Sequence, residues 1–366
     1  MKNASRLLTP FVAVIALLVT IGFIFIYSSS SVFALETCGS ASFFVKKQLL
    51  GLTLGLVAMG AMIIAPFDLI RRLAPWFFLF SIILTYLTLV PSVGMTINGS
   101  SRWLHLAGFS FQPSELLKVA CILYLASYIG KKEFRLRSFT YGYLPFLLLI
   151  GVAIAALLKQ PDFGQAVTIT LTSFIMFFIA RGSVRHLFYT GLVSAVGAAL
   201  LVYLKAYRLR RILVFLNPWA DPKGAGFQII QSLVAIGSGG LWGVGISHSK
   251  QKFFYLPMQH TDFIFSVIAE ETGFVGVLVL VALYLLLFIF GIRIARAVGD
   301  QFTSLVTLGT VFLINLQAVM HIFVASGLAP TKGIGLPFIS YGNSSLICNL
   351  LLIGVVINGV LENKST

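Results

Sequence analysis

Between Ser249 and Glu271 the chain reads SKQKFFYLPMQHTDFIFSVIAEE, and Asp262 stands where a polar, basic stretch re-enters a strongly apolar segment. A charged carboxylate is costly at the edge of hydrocarbon, so Asp262 reads as a working group. Glu115 and Lys118, in QPSELLK, lie three apart on one helix face inside another apolar segment. They read either as an ion pair that orients the helix or as part of a polar cavity, where Lys118 meets a phosphate or sugar and Glu115 fixes its position. Asp162, in the short turn KQPDFGQ, either caps the helix that follows or joins Lys118 in that cavity. Both can hold at once.

The elements that must position these groups follow from composition. With 58% hydrophobic residues, 10% charged residues and a mean hydropathy of +0.98, the 366-residue chain is too apolar for a soluble globular domain. The fold class is an all-α polytopic membrane protein, residues 1–366 forming a single transmembrane domain. Apolar segments at roughly 9–28, 47–66, 73–91, 112–130, 143–159, 165–181, 186–206, 263–294, 303–327 and 338–360 predict about ten spans. The first follows Lys2 and Arg6 but is long for a signal peptide and lacks a clear cleavage site, so it is kept as a span.

Cations in the short loops set the orientation. Lys2, Arg6, Arg71, Arg72, Lys131, Lys132, Arg135, Arg137, Arg181, Arg185, Arg293, Arg296 and Lys364 fall on one side, against Lys46, Lys47, Arg102, Lys159 and Lys332 on the other. The richer side is cytoplasmic, which puts both termini there. The long stretch 207–262 between the seventh and eighth spans is then extracytoplasmic, outside a bacterial cytoplasmic membrane. Its Arg208, Arg210, Arg211, Lys223, Lys250 and Lys252 outnumber its acids. Either anionic head groups of membrane lipid attract them, or they bind a phosphorylated lipid substrate.

Within that stretch, Phe227 to Ile236 has helical apolar spacing interrupted by Gln228, Gln231 and Ser232. It reads as an amphipathic or re-entrant segment against the bundle. The last outer connection, PTKGIGLPFISYGNSS, offers Lys332 and Ser340 near the interface, as a capped helix start or as a donor-rich wall. Arg102, Arg208, Arg211, Gln228, Gln231, Lys252, His260, Lys332 and Ser340 are therefore the substrate-binding candidates around Asp262, with Glu115, Lys118 and Asp162 deeper. Cys38, Cys121 and Cys348 make neither an outer disulfide nor a zinc site, and no phosphate-cradling or dinucleotide motif is present. Nucleic acid is not an expected partner.

Taken together, NG-x-x-RW…QPSE-x-x-K, QPD-x-G, DP-x-G-x-GFQ-x-x-QS-x-x-AI-x-SGG, HTDFIF-x-x-x-AEE-x-G and LPFISYG occur in order over almost the whole chain. This set resembles the SEDS family of polytopic peptidoglycan glycosyltransferases, and NPWADP with Tyr255-Leu256-Pro257 is more similar to its cell-division branch than to its elongation branch. The resemblance implies a ten-span fold that joins lipid II disaccharides into glycan on the outer membrane face. Asp262 would be the catalytic base. The partners implied are lipid II, a class B penicillin-binding transpeptidase and other cell-division proteins.

No cofactor is certain. A divalent cation, Mg or Mn, bridging pyrophosphate to Asp162 or Glu115 stays open, and there is no dedicated metal-ligand cluster. Glu270 and Glu271 lie about 12–14 Å along the helix from Asp262 and read as structural or cavity-lining. Two departures from the family pattern stand out: Asn343 replaces an expected glycine, and Met258-Gln259 replaces a pair holding an acid. Two other classes also fit a many-span chain with buried charges. A lipid II transporter would depend most on Glu115, Lys118 and Asp162; a non-catalytic scaffold for a transpeptidase would depend on none of the acids.

Overall fold

A computed structural model describes residues 2–365 except 92, 98–99, 107–108, 132–134, 205–208, 210–212, 225, 250–258 and 332. The chain is mostly helical and of the polytopic membrane type, built around α4. Helix α1 spans Lys2–Cys38, α2 Phe43–Ile64, α3 Phe67–Leu87, α4 Pro113–Lys131, α5 Leu144–Lys159 and α6 Phe163–Ile179. Then come α7 over Val184–Tyr203, α8 over Phe227–Ser238, α9 over Ile264–Ala297, α10 over Gln301–Ala325 and α11 over Asn343–Ser365. By length and composition α1, α2, α5 with its preceding π-helical turn, α9, α10 and α11 can each cross a membrane. Helices α3, α4, α6 and α7 stand at the other four predicted segments.

Three differences from the sequence-based expectation bear on the site. The fold is not purely helical: β1 (Gly94–Ile97), β2 (Ser100–Leu106) and β3 (Phe109–Phe111) form an antiparallel sheet in the order β1-β2-β3. Short alternating runs such as Arg102-Trp103-Leu104-His105 suit strands, and residues 98–99, between β1 and β2, lie outside the described residues. Helix α1 continues ten residues beyond Ser28 to Cys38, because Ser28 and Ser30 are buried and bonded rather than terminal. The last helix begins at Asn343 rather than near 338, the backbone of Phe338 being left-handed at φ 67°.

Helix α4 is the core element. Pro113 sits at its first position, where a missing N–H costs nothing, and most of its residues are buried against α3, α6, α10 and α11. Helices α2 and α11 pack closely along Gly51, Gly55 and Gly354; a side chain at Gly354 would come 2.6 Å from the Met59 carbonyl oxygen. The Asn358 amide donates to the Met62 and Ala65 carbonyl oxygens at 2.7 Å, closing the end of α2. At the opposite end of the bundle from Asp262, Asp300 caps α10 through Thr303 N at 2.7 Å and lies 3.9 Å from Arg71.

Helix α8 is the amphipathic segment anticipated in the long connection. Its Ile229, Ile230, Ser232 and Ala235 are buried, and Ser232 bonds Ser266 of α9 and the Ala325 carbonyl of α10. The glycine-rich stretch after it fills a break in α9. At Gly273 the helix departs to φ 66°, ψ −166°, and the stretch supplies backbone partners there. Val244 N donates to Glu270 O at 3.0 Å, Gly245 N to Glu271 O at 3.1 Å, and Phe274 N to Gly240 O at 2.9 Å. A broken helix is tolerable inside a membrane fold only when its freed groups are satisfied in this way. Gly243 has φ +79° and its Cβ would fall 2.2 Å from the Glu271 carbonyl oxygen. Gly243→Ala therefore combines a left-handed backbone with a clash; an expected loss of about 2 kcal/mol or more will appear as a lowered melting temperature of the detergent-purified protein.

Candidate functional site

Two carboxylates behind α9's first turns hold the approach to Asp262. Ser28 donates to both Glu271 oxygens, at 2.6 and 2.7 Å, Ser249 N reaches Glu271 at 3.4 Å, and the Ser249 hydroxyl bonds Glu270. Glu270 and Glu271 are thus structural, tying α1 and the end of the glycine-rich stretch to α9. The residue found in place of an expected acid, Gln259, donates its amide to the Ser29 carbonyl at 2.9 Å. A carboxylate has no hydrogen to make that bond.

Residues 260–262 are clamped by the connection between α10 and α11. Tyr341 N donates to the His260 carbonyl at 2.9 Å, and the Ser340 hydroxyl to the Thr261 carbonyl at 2.7 Å while accepting from Leu336 N at 2.7 Å. Gly333 borders Asp262, a Cβ there falling in ordinary contact at 3.5 Å from Oδ2. Asp262 is thereby held at the wall of a cavity of about 650 Å³, which Lys47, Arg102, Gln112, Glu115, Gln165, Gln228, Gln317 and Ser340 also line. Partly exposed between a rigid turn and a helix start, it can meet a hydroxyl entering from the cavity.

The deep end of the cavity carries a continuous polar chain. Lys118 Nζ lies 2.7 Å from Glu115 Oε2, and Gln165 Nε2 donates to Glu115 Oε1 at 2.6 Å. Lys118 is 1% exposed and lies behind the lining residues. Of the pair, Glu115 reaches the cavity wall, whereas Lys118 itself does not line the cavity. Asp162 caps α6, accepting from Gln165 N at 3.3 Å, with Gln112 Nε2 at 3.5 Å and Arg102 Nε at 3.9 Å. Burial raises its pKa above the usual carboxylate value, and Arg102, Gln165 N–H and Lys118 counter that rise. Arg102 is itself fixed by the carbonyls of Gln160 and Pro161, at 3.3 and 2.5 Å.

Several sequence-based expectations change. Gln228 lines the cavity but Gln231, on the same helix, does not. His260 is also outside the lining: its ring lies 4.4 Å from the Phe44 ring, 5.9 Å from that of Phe33 and 5.8 Å from that of Tyr341. It is a packed aromatic wedge more than a ligand-facing group. Arg208, Arg211, Lys252 and Lys332 lie outside the described residues. Lys47, Gln112, Gln165 and Gln317 are lining residues that were not singled out from sequence. A glutamine inside an apolar span, as in LINLQAVMH, is the signal that could have found Gln317.

Burial lowers the His260 pKa to about 4, so the ring is neutral at physiological pH. The folded value lies below the unfolded one, so stability from keeping the ring neutral is present above about pH 6.5 and lost as pH falls toward 4. His260→Phe should fold, and its melting temperature should fall less between pH 7 and pH 4 than that of the unsubstituted protein. The differential is at most about 3 kcal/mol, and identical acid limbs would disprove the neutral wedge.

Among the described residues no group of three or more His, Cys, Asp or Glu is placed to hold a metal. Glu115 and Asp162, the carboxylates that could bridge one to a pyrophosphate, already face Lys118 and Arg102. That is a poor fit for a divalent ion, since each acid's charge is partly met by a cation.

The chain is similar in sequence and fold to known proteins. Residues 8–365 match the FtsW/RodA/SpoVE family, described as "Cell cycle protein". A probable peptidoglycan glycosyltransferase FtsW from Geobacter sp. (strain M18) is 45% identical over 342 residues, covering 93% of each chain. Stage V sporulation protein E of Bacillus subtilis (strain 168) is 41% identical over 347 residues, covering 95% of each. Among solved structures, a chain of a peptidoglycan synthase complex, studied for its coordination of polymerization and crosslinking, matches with a TM-score of 0.81 at 33% identity. It covers 97% of this chain and 98% of that one. The rod shape determining protein RodA of Thermus thermophilus matches with a TM-score of 0.72 at 30% identity, covering 96% of each chain. Motifs, fold and relatives agree over nearly the full length, and the chain belongs to the FtsW/RodA/SpoVE family of cell cycle proteins.

Proposed function

We propose that the chain is a peptidoglycan glycosyltransferase that polymerises lipid II on the outer face of the bacterial cytoplasmic membrane. The observation that carries this reading is Asp262, fixed on the wall of a large polar cavity that also presents Lys47 and Arg102. Asp262 takes the proton of the acceptor sugar's 4-hydroxyl as that oxygen attacks the anomeric carbon of the donor. The new glycosidic bond forms as the bond to pyrophosphate breaks, and polyprenyl pyrophosphate leaves with the electron pair. Lys47 and Arg102 offset the charge that develops on it. The leaving group needs no proton, so one carboxylate suffices, unlike the two commonly used in glycoside hydrolysis.

Helices α1–α7 and α9–α11 serve in this reading as ten spans, with both termini cytoplasmic and α8 in an extracytoplasmic connection. The motif likeness to the division branch and the FtsW relatives favour septal synthesis. The relation to a synthase complex that couples polymerization with crosslinking favours a class B penicillin-binding transpeptidase as partner, with other division proteins around it. The test is glycan formation from purified lipid II by the protein with its transpeptidase, against Asp262→Asn.

One observation favours a second reading. The buried Lys118–Glu115 pair in the bundle interior is what a lipid II transporter would use. Passage of lipid II across vesicles that persists without polymerisation, and that depends on Glu115 rather than Asp262, would select it.

A further inference from the structure

We infer that Gln165 and Gln317 form a saccharide subsite, two amide carbonyls that accept hydrogen bonds from hydroxyl or N–H groups of the lipid-linked sugar. The inference rests on the glycosyltransferase reading and deepens it. Both residues line the same cavity as Asp262. They are 3% and 2% exposed, and the Oε1 atom of each lacks a hydrogen-bond partner among the described residues. A buried acceptor left unpaired is costly, so a ligand that brings a donor to it is favoured over one that does not.

The chemistry of the neighbours decides which end of Gln165 faces the ligand. Glu115 is held by Lys118 at 2.7 Å and can only accept, so the Gln165 NH₂ must be the end that meets it at 2.6 Å. The carbonyl is then the free end. A cation, a carboxylate and an amide in series polarise one another, which strengthens that carbonyl as an acceptor. The backbone of Gln165 is pinned as well, through its N–H to the Asp162 cap at 3.3 Å. Gln317 comes from a different helix, α10, and takes no part in that series among the described residues.

The two ends of the substrate differ in what they can offer these atoms. A pyrophosphate has only acceptor oxygens and is drawn to Lys47 and Arg102. A sugar carries hydroxyl donors, and an N-acetyl group adds an N–H. Amide carbonyls therefore sort saccharide from pyrophosphate and set the direction in which the substrate lies.

The experiment measures binding of two probes, lipid II and sugar-free polyprenyl pyrophosphate, to the purified chain carrying Asp262→Asn so that turnover is slow on the timescale of binding. Adding Gln317→Met or Gln165→Met should weaken lipid II binding about tenfold each and leave polyprenyl pyrophosphate binding unchanged. Gln317→Met leaves the Lys118–Glu115–Gln165 series intact, so it decides the matter should Gln165→Met fail to fold. Unchanged lipid II binding in the Gln317 variant, or equal loss for both probes, overturns the subsite alone. A parent chain that binds both probes equally, with no preference for the sugar, also overturns the subsite, whereas failure of the unsubstituted protein with its transpeptidase to polymerise lipid II overturns the glycosyltransferase reading.

Discussion

Asp262→Asn is expected to lower the rate of glycan polymerisation by about 10²- to 10⁴-fold, leaving lipid II binding and melting temperature close to those of the unsubstituted protein. A sugar hydroxyl is a poor nucleophile at neutral pH, and loss of a positioned base at that ratio corresponds to roughly 3–5.5 kcal/mol of barrier. The amide has nearly the shape of the carboxylate. The clamps that hold the turn, Tyr341 N to the His260 carbonyl and Ser340 to the Thr261 carbonyl, are made by main-chain atoms of its neighbours and survive the change. The loss therefore belongs in kcat, because a base acts only as the proton moves. Equal rates for the two proteins would remove Asp262 from the mechanism. A loss accompanied by unfolding would not support it, which is why melting is measured on the same samples.

The second large effect concerns stability. Lys118→Met removes the cation from a pair in which Lys118 is 1% and Glu115 4% exposed, leaving a carboxylate buried with Gln165 as its remaining partner. Breaking such a pair from one side costs roughly 3–5 kcal/mol, whereas replacing both members by neutral groups of similar volume is often close to neutral. The combined Lys118→Met and Glu115→Gln variant should therefore regain most of the melting temperature lost by Lys118→Met alone, a strongly non-additive result. Melting curves of the two single variants and the double variant in detergent provide the test. Additive losses would mean that the 2.7 Å contact contributes little. Polymerisation by the double variant then separates the two roles: a stable but inactive protein gives the pair work in the cavity, and a stable active one makes it purely an orienting device.

What could be read along the chain was whatever depends on near neighbours or on composition. The apolar content and segment lengths decided the membrane class. Three-residue spacing put Glu115 and Lys118 on one face, Asp162 stood where an N-cap belongs, and the lone acid of HTDF marked Asp262. The ordered motifs pointed to the family. Tertiary structure alone decided which groups share a cavity, since that depends on pairs remote in the chain: Gln165 with Glu115, fifty residues apart, or Gly342 N with Gln48, 294 apart. It also turned His260 away from the cavity into a ring cluster, because two residues of local sequence cannot reveal that Phe33, Phe44 and Tyr341 converge on it. The Glu270–Glu271 pair could not be resolved locally either, as its partners Ser28 and Ser249 come from α1 and from the stretch that fills the break in α9. Spacing along a helix decides which residues can face together; only the packing of distant segments decides what they face.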